Sequence, residues 1–227
     1  MATTRTSWLP EIDQYTIKFL IGFVALSLPI VELVLSGGAI TSISQSYWYP
    51  ESRWSRNIFV GSLFAIAALL AGYNGTSPRQ LLFGKVAAVA AVLISMFPCN
   101  CGDDAHEIVK GVHTAAAGAM FAVLAWFCWD FIDRAKEKLH DVRRKAARRR
   151  IFIYRACGVG MAIAIALFVR HAFTKDEWLI LLGETFGLVS FGISWLTASR
   201  KLPWVTHPSE KEPLIGFGLA GAGRSAS

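Results

Sequence analysis

Apolar residues gather into six blocks, approximately Ile17–Ser36, Asn57–Tyr73, Leu81–Phe97, Val109–Ile132, Phe152–Arg170 and Trp178–Thr197, and most charged residues fall between them. Each block is close to the roughly 20 residues that carry a helix across a hydrocarbon core. Only a helix satisfies its own backbone hydrogen bonds there without water, so each block predicts a membrane-spanning helix. Six in succession leave too few polar residues to cover the surface of a soluble protein. The expected fold class is therefore all-α: a polytopic membrane protein, a bundle of six transmembrane helices over residues 1–201. The Pro- and Gly-bearing stretch 202–227 reads as a flexible cytoplasmic tail. The first block is longer than the apolar region of a signal peptide, and Ser36-Gly37-Gly38-Ala39 is a weak cleavage pattern, so it too predicts a helix.

Composition agrees. The chain of 227 residues is 54% hydrophobic and 17% charged, with a mean hydropathy of +0.43. Its formal charge of +7 is concentrated in one connection. Residues 133–150 hold nine Lys or Arg against three Asp or Glu, a net +6. The positive-inside rule places this connection in the cytoplasm. Six spans then put both termini and the turn at Asn74–Gln80 on the same side, and the acidic stretch Asp103, Asp104, Glu107 on the outer side. Between two spans, such a basic run predicts contact with anionic headgroups along 134–150 and no nucleic-acid partner. The sequon at Asn74 falls in a cytoplasmic turn and reads as chance.

Small residues supply packing handles. Gly183-xxx-Gly187 predicts a smooth face on the sixth helix against which another backbone can approach, as do the alanines of the third and fourth blocks. A second copy of the chain is a further candidate partner. The long outer connection carries Tyr47, Trp48, Tyr49 and Trp54, a composition suited to the headgroup level.

Ionisable residues inside spans are costly, so each is a candidate for function. With the predicted topology, Glu32, His113, Arg170, His171 and Glu184 all lie towards the outer side. Glu184 sits about two turns into its helix, roughly 9 Å deep. Ser44, Tyr47, Arg53 and Arg56 join them from the outer connection. One arrangement pairs Arg170 with Glu184 or Glu32. The other is a lipid-headgroup site built from Arg170, His171, Ser44, Tyr47, Arg53 and Glu32, in which arginine holds phosphate and His113 or Glu184 moves a proton. No cofactor is required by that reading. The alternative is zinc, held by His106, His113 and Asp104 beside Cys99 and Cys101, in a metal-dependent intramembrane hydrolase with Glu184 as proton carrier. The two cysteines are equally suited to a disulfide or to free thiols. A small transporter is a third reading, without paired broken helices or a repeat of the two halves to support it.

The outer connection reads Ile43-Ser44, Pro50-Glu51, Ile58-Phe59, and His113 is followed by Ala116-Ala117 and Phe121. With six spans and both ends inside, this layout resembles the DRAM/FRAG-type family of six-span proteins. Gln45 stands where members of that type often carry Asp. The resemblance implies membrane residence and dealings with lipid: recognition, organisation or remodelling at the outer leaflet.

Overall fold

The computed structural model describes residues 11–49, 53–101, 109–140, 142–211 and 217–218. Six helices account for most of them: α1 (Gln14–Leu35), α2 (Arg53–Gly72), α3 (Pro78–Met96), α4 (Val112–Lys136), α5 (Arg144–Thr174) and α6 (Trp178–Ala198). All six are long and apolar enough to span a bilayer. Between 33% and 50% of each apolar window is buried inside the bundle. The remainder is an apolar outer surface, with Phe23, Leu82, Phe152 and Val159 each more than half exposed. Water would oppose such a surface and hydrocarbon accepts it, so the chain is a multi-pass membrane protein.

Each helix packs on its sequence neighbours, and α6 returns to close the ring on α1. The centre is filled by aromatic side chains. Trp195 is fully buried, with ring centroids 5.1–5.8 Å from Tyr73, Phe127, Phe131 and Phe191. Helix starts follow local chemistry. Asp13 caps α1 by accepting from the Tyr15 and Thr16 amides, each at 2.8 Å. Ser77 caps α3, where Pro78 occupies the first helical position.

A close backbone approach between α1 and α6 involves glycines other than the expected pair. A Cβ on Gly22 of α1 would lie 2.7 Å from the Leu196 amide nitrogen and 2.8 Å from the Gly192 carbonyl oxygen of α6. Gly183 and Gly187 instead receive aromatic rings, of Phe168 and Phe121 respectively. The spacing of these two glycines marks a smooth face, but that face is filled by side chains and not by a neighbouring backbone.

Two further expectations change. The basic connection is mostly helical, because Arg, Lys and Ala favour helix and α5 extends back to Arg144. At 31 residues, α5 is about 46 Å long and projects well beyond a hydrocarbon core of about 30 Å. The tail is also held, at least to Lys211. Glu210 is buried and meets Arg150 at 2.6 Å, Lys138 at 2.6 Å, Arg143 at 3.4 Å and Arg200 at 3.9 Å. A short antiparallel pair, β1 (Glu11–Ile12) with β2 (Phe217–Gly218), brings the two ends of the chain together. Burial alone would raise the Glu210 carboxyl. The hydrogen bond from Lys138 and the charge and hydrogen bond of Arg150 outweigh it and hold the group at about 2.

Gly22→Ala is expected to force α1 and α6 apart and to destabilise the bundle by about 1–3 kcal/mol in thermal unfolding in detergent. Gly118→Ala, where a Cβ meets nothing within 4 Å, should leave the midpoint nearly unchanged. A carboxyl lowered from 4.5 to about 2 contributes its docking energy fully above pH 4.5 and loses it as pH falls towards 2. A spin label at Lys211→Cys should therefore be ordered at neutral pH and gain mobility across that interval.

Candidate functional site

The end of the bundle away from the termini is organised by two carboxylates, Glu32 fully buried and Glu184 half-buried. Glu184 of α6 accepts three hydrogen bonds from the connection after α1. Its Oε2 takes the Ser42 hydroxyl at 2.9 Å and the Ile43 amide at 2.5 Å, and its Oε1 takes the Ser44 hydroxyl at 2.6 Å. These residues begin a short 3-10 segment, Ile43–Tyr47. Its exposed amides and flanking hydroxyls converge on the carboxylate, as they would on any anion at a helix start. Glu32 of α1 is fully buried and accepts from the Ser55 hydroxyl of α2, with Ser46 beside it. Ser42 and Ser44 thus serve the α6 carboxylate, and Ser55 the α1 carboxylate.

Further bonds complete the clasp. The Thr41 hydroxyl donates to Glu177 at 3.0 Å, the Trp48 indole to the Cys99 carbonyl at 2.8 Å, and the Tyr49 hydroxyl to the Ser36 carbonyl at 3.2 Å. Below Glu184 and Ser44 lies an apolar slot of about 60 Å³, walled by Leu28, Phe59, Ile94, Met120 and Phe191 among others. It is too small for an acyl chain.

Beside the clasp is a much larger open groove, of about 790 Å³. Residues Arg53, Arg56, Asn57, Val60 and Gly61 of α2 line it, at the three- and four-residue spacing of a single helix face. Tyr47, Trp48 and Tyr49 form an aromatic wall, and Ser95 and Met96 of α3 the far side. Arg56 is held in place by Tyr47. Its guanidinium carbon lies 4.4 Å from the ring centroid, and it donates to the phenol oxygen at 3.0 Å. Among the described residues no carboxylate pairs with Arg53 or Arg56. The groove is therefore cationic at its rim and apolar about 12 Å deeper, the rise from Arg53 to Gly61.

The expected site residues divide between these features. Arg53 and Tyr47 line the groove, while Ser44, Glu32 and Glu184 belong to the clasp. Arg170 is exposed and pairs with neither Glu184 nor Glu32 among the described residues. The expected ion pairs are replaced by hydroxyl donors. The His171 ring sits 2.9 Å from the Asp176 carbonyl in the α5–α6 turn, so neither it nor Arg170 reaches the groove. His113 is buried, with Nδ1 2.9 Å from the Phe97 carbonyl. Of the expected zinc ligands, Asp104 and His106 lie outside the described residues. Among those described, no three His, Cys, Asp or Glu side chains gather as a metal site, and Cys99 and Cys101 are joined as a disulfide.

Sequence reasoning missed Asn57, Gly61 and Met96 as groove residues and Ser42 and Ser55 as carboxylate partners. The signals were present: a helical repeat beginning at Arg53, and hydroxyls at every second position from Ser42. No protein-family model, curated protein or solved structure matches the chain.

Removing the Glu184 carboxylate strands two hydroxyls and an amide in a water-poor setting, at about 1–3 kcal/mol for each unmet donor. Glu184→Ala is expected to release the 41–49 segment, seen as new protease cleavage there in detergent. Thr185→Ala, one residue further along α6, should leave the segment protected.

Proposed function

We propose that this protein recognises an anionic membrane lipid, with the headgroup at Arg53 and Arg56 and an acyl chain along Val60, Gly61 and Met96. One observation carries the reading. Two guanidiniums without a carboxylate partner among the described residues stand on a single helix face, above an apolar floor, in a groove of about 790 Å³. Arginine presents a planar fork of donors to phosphate, and Tyr47 already orients one of the two forks. Interfacial aromatics keep the wall at headgroup depth.

The groove favours binding over catalysis. Among the described residues its lining has no histidine or carboxylate to move a proton, and the Ser95 hydroxyl donates back to the Val92 carbonyl at 2.8 Å. Recognition or organisation of lipid therefore suits it better than remodelling. The basic stretch 134–150 supports placing the opposite end, with both termini, in the cytoplasm, which puts the groove in the outer leaflet. A relationship to DRAM/FRAG-type six-span proteins belongs to the same proposal and rests on the short motifs around Ser44 and His113.

Gly61 gives a clean test, because a Cβ there meets nothing within 4 Å. Gly61→Phe should fill the groove without disturbing the bundle. Arg53→Gln with Arg56→Gln should remove the charge. Each is expected to reduce co-purifying phosphatidylglycerol at least tenfold by mass spectrometry, about the worth of one charged hydrogen bond, at an unchanged unfolding midpoint. A wild-type lipid profile in both variants would refute the assignment.

A further inference from the structure

At the end of the bundle that carries both termini lies a second cavity, of about 380 Å³. Five separate parts of the chain wall it: the start of α1, the α2–α3 turn, the last turns of α4, the first turns of α5 and the residues after α6. Its charge is one-sided. Lys18, Arg134, Lys138, Arg150 and Arg200 line it, against Asp13 and Glu137.

Among the described residues all the nearby acids but the exposed Glu137 are already committed. Asp13 caps α1, and Asp130 accepts from Arg134 at 2.7 Å and from Gln80 at 2.5 Å. Glu210 is shared among four cations on one wall. Two cationic donors are left over. Lys18 is only 8% exposed, and its ammonium lies 5.5–5.6 Å from the ring centroids of Tyr15, Tyr73 and Phe131. Those ring faces favour a cation but give its N–H groups no oxygen acceptor, and none lies within hydrogen-bond distance among the described residues. The Nε of Arg150 is buried and also unmet, although the other end of the same guanidinium holds Glu210.

A buried cationic donor without an acceptor is expensive, and a bound anion would supply what is missing. Arg200 adds to the geometry. Its backbone is left-handed, with φ of 55°, and its guanidinium stacks 4.7 Å from the Tyr15 centroid at the edge of the cavity. The donors therefore approach one space from several directions. That suits a tetrahedral oxyanion with several acceptor oxygens better than a planar carboxylate.

We propose that this cavity binds a phosphate group, with Lys18, Arg134 and Arg200 as its donors and the Arg150 guanidinium adding charge to the wall. The site is separate from the groove at the opposite end and does not depend on it. The phosphate can come from a phospholipid headgroup or from a free phosphate on the aqueous side, since the chemistry that recognises both is the same.

The test uses the purified full chain in two preparations. In nanodiscs of phosphatidylcholine alone, inorganic phosphate is titrated by calorimetry. In nanodiscs containing about one part in ten phosphatidic acid, retained lipid is counted by native mass spectrometry, a charge density typical of anionic leaflets. Saturable binding in the first identifies free phosphate as a ligand, and retention only in the second identifies the lipid. In either case Lys18→Met, which keeps the length and apolar stem of the side chain, should weaken binding at least tenfold. The phosphatidic acid arm uses the Arg53→Gln, Arg56→Gln chain, so that lipid held in the groove is not counted, and Gly118→Ala, which lines neither site, should leave binding unchanged. Should Lys18→Met fail to give folded protein, Arg200→Gln, which is partly exposed, carries the same comparison. No saturable binding in either preparation, or binding indifferent to Lys18 and Arg200, would overturn the proposal.

Discussion

Hydrocarbon supplies no water, so each polar atom that the spans carry inward must be met by another part of the chain. Glu184 and Glu32 show what that demands. Glu184 takes Ser42, Ser44 and the Ile43 amide, which fixes the connection between α1 and α2 against α6, while one oxygen of Glu32 takes Ser55, which ties α1 to α2. The fixed connection presents Tyr47, Tyr47 orients Arg56, and Arg56 stands with Arg53 on the rim of the groove. The groove therefore depends on a carboxylate that does not line it.

The six spans were legible in the sequence because hydrocarbon imposes length and composition directly. Every apolar block corresponds to a helix, and the ends differ where a force other than apolarity decides. α1 starts at Gln14, before the apolar block, because Asp13 caps it. α5 starts at Arg144 because a basic, Ala-containing segment is a good helix former even outside the bilayer. The tail to Lys211 is decided by a different force. Its Pro and Gly content argues for irregular backbone, and irregular it is, but one buried glutamate among four cations is enough to dock it. Composition reports the absence of regular structure, not the absence of tertiary contact.

The candidate sites were legible in depth and illegible in azimuth. Counting residues along a span tells how far a side chain lies from the end of its helix, and Glu32, His113, Arg170, Glu184 and Arg53 fall towards one end of the bundle. It does not tell which way round the ring each helix faces. The ring order sets the α5–α6 turn, with Arg170 and His171, across the bundle from the α2–α3 face that holds Arg53 and Arg56. Residues at the same level therefore separate into a clasp, a groove and a turn. Only tertiary packing makes that division, and no periodicity within one segment reports it.

The two ends of the molecule also meet their carboxylates by different means, and position explains why. Glu184 and Glu32 lie within spans, where a cationic partner would itself have to be stripped of water. Hydroxyls and an amide serve there because each donates without adding a second charge to desolvate. Glu210 lies beyond the last span, where long Lys and Arg side chains keep much of their length near water. Three of the four cations around it stay partly in water, and only Arg150 is buried with it. The same gathering leaves more positive charge at that end than its acids neutralise, with Lys18 enclosed by rings and not by oxygen. An arrangement selected for stability alone would put a carboxylate or an apolar side chain at that position.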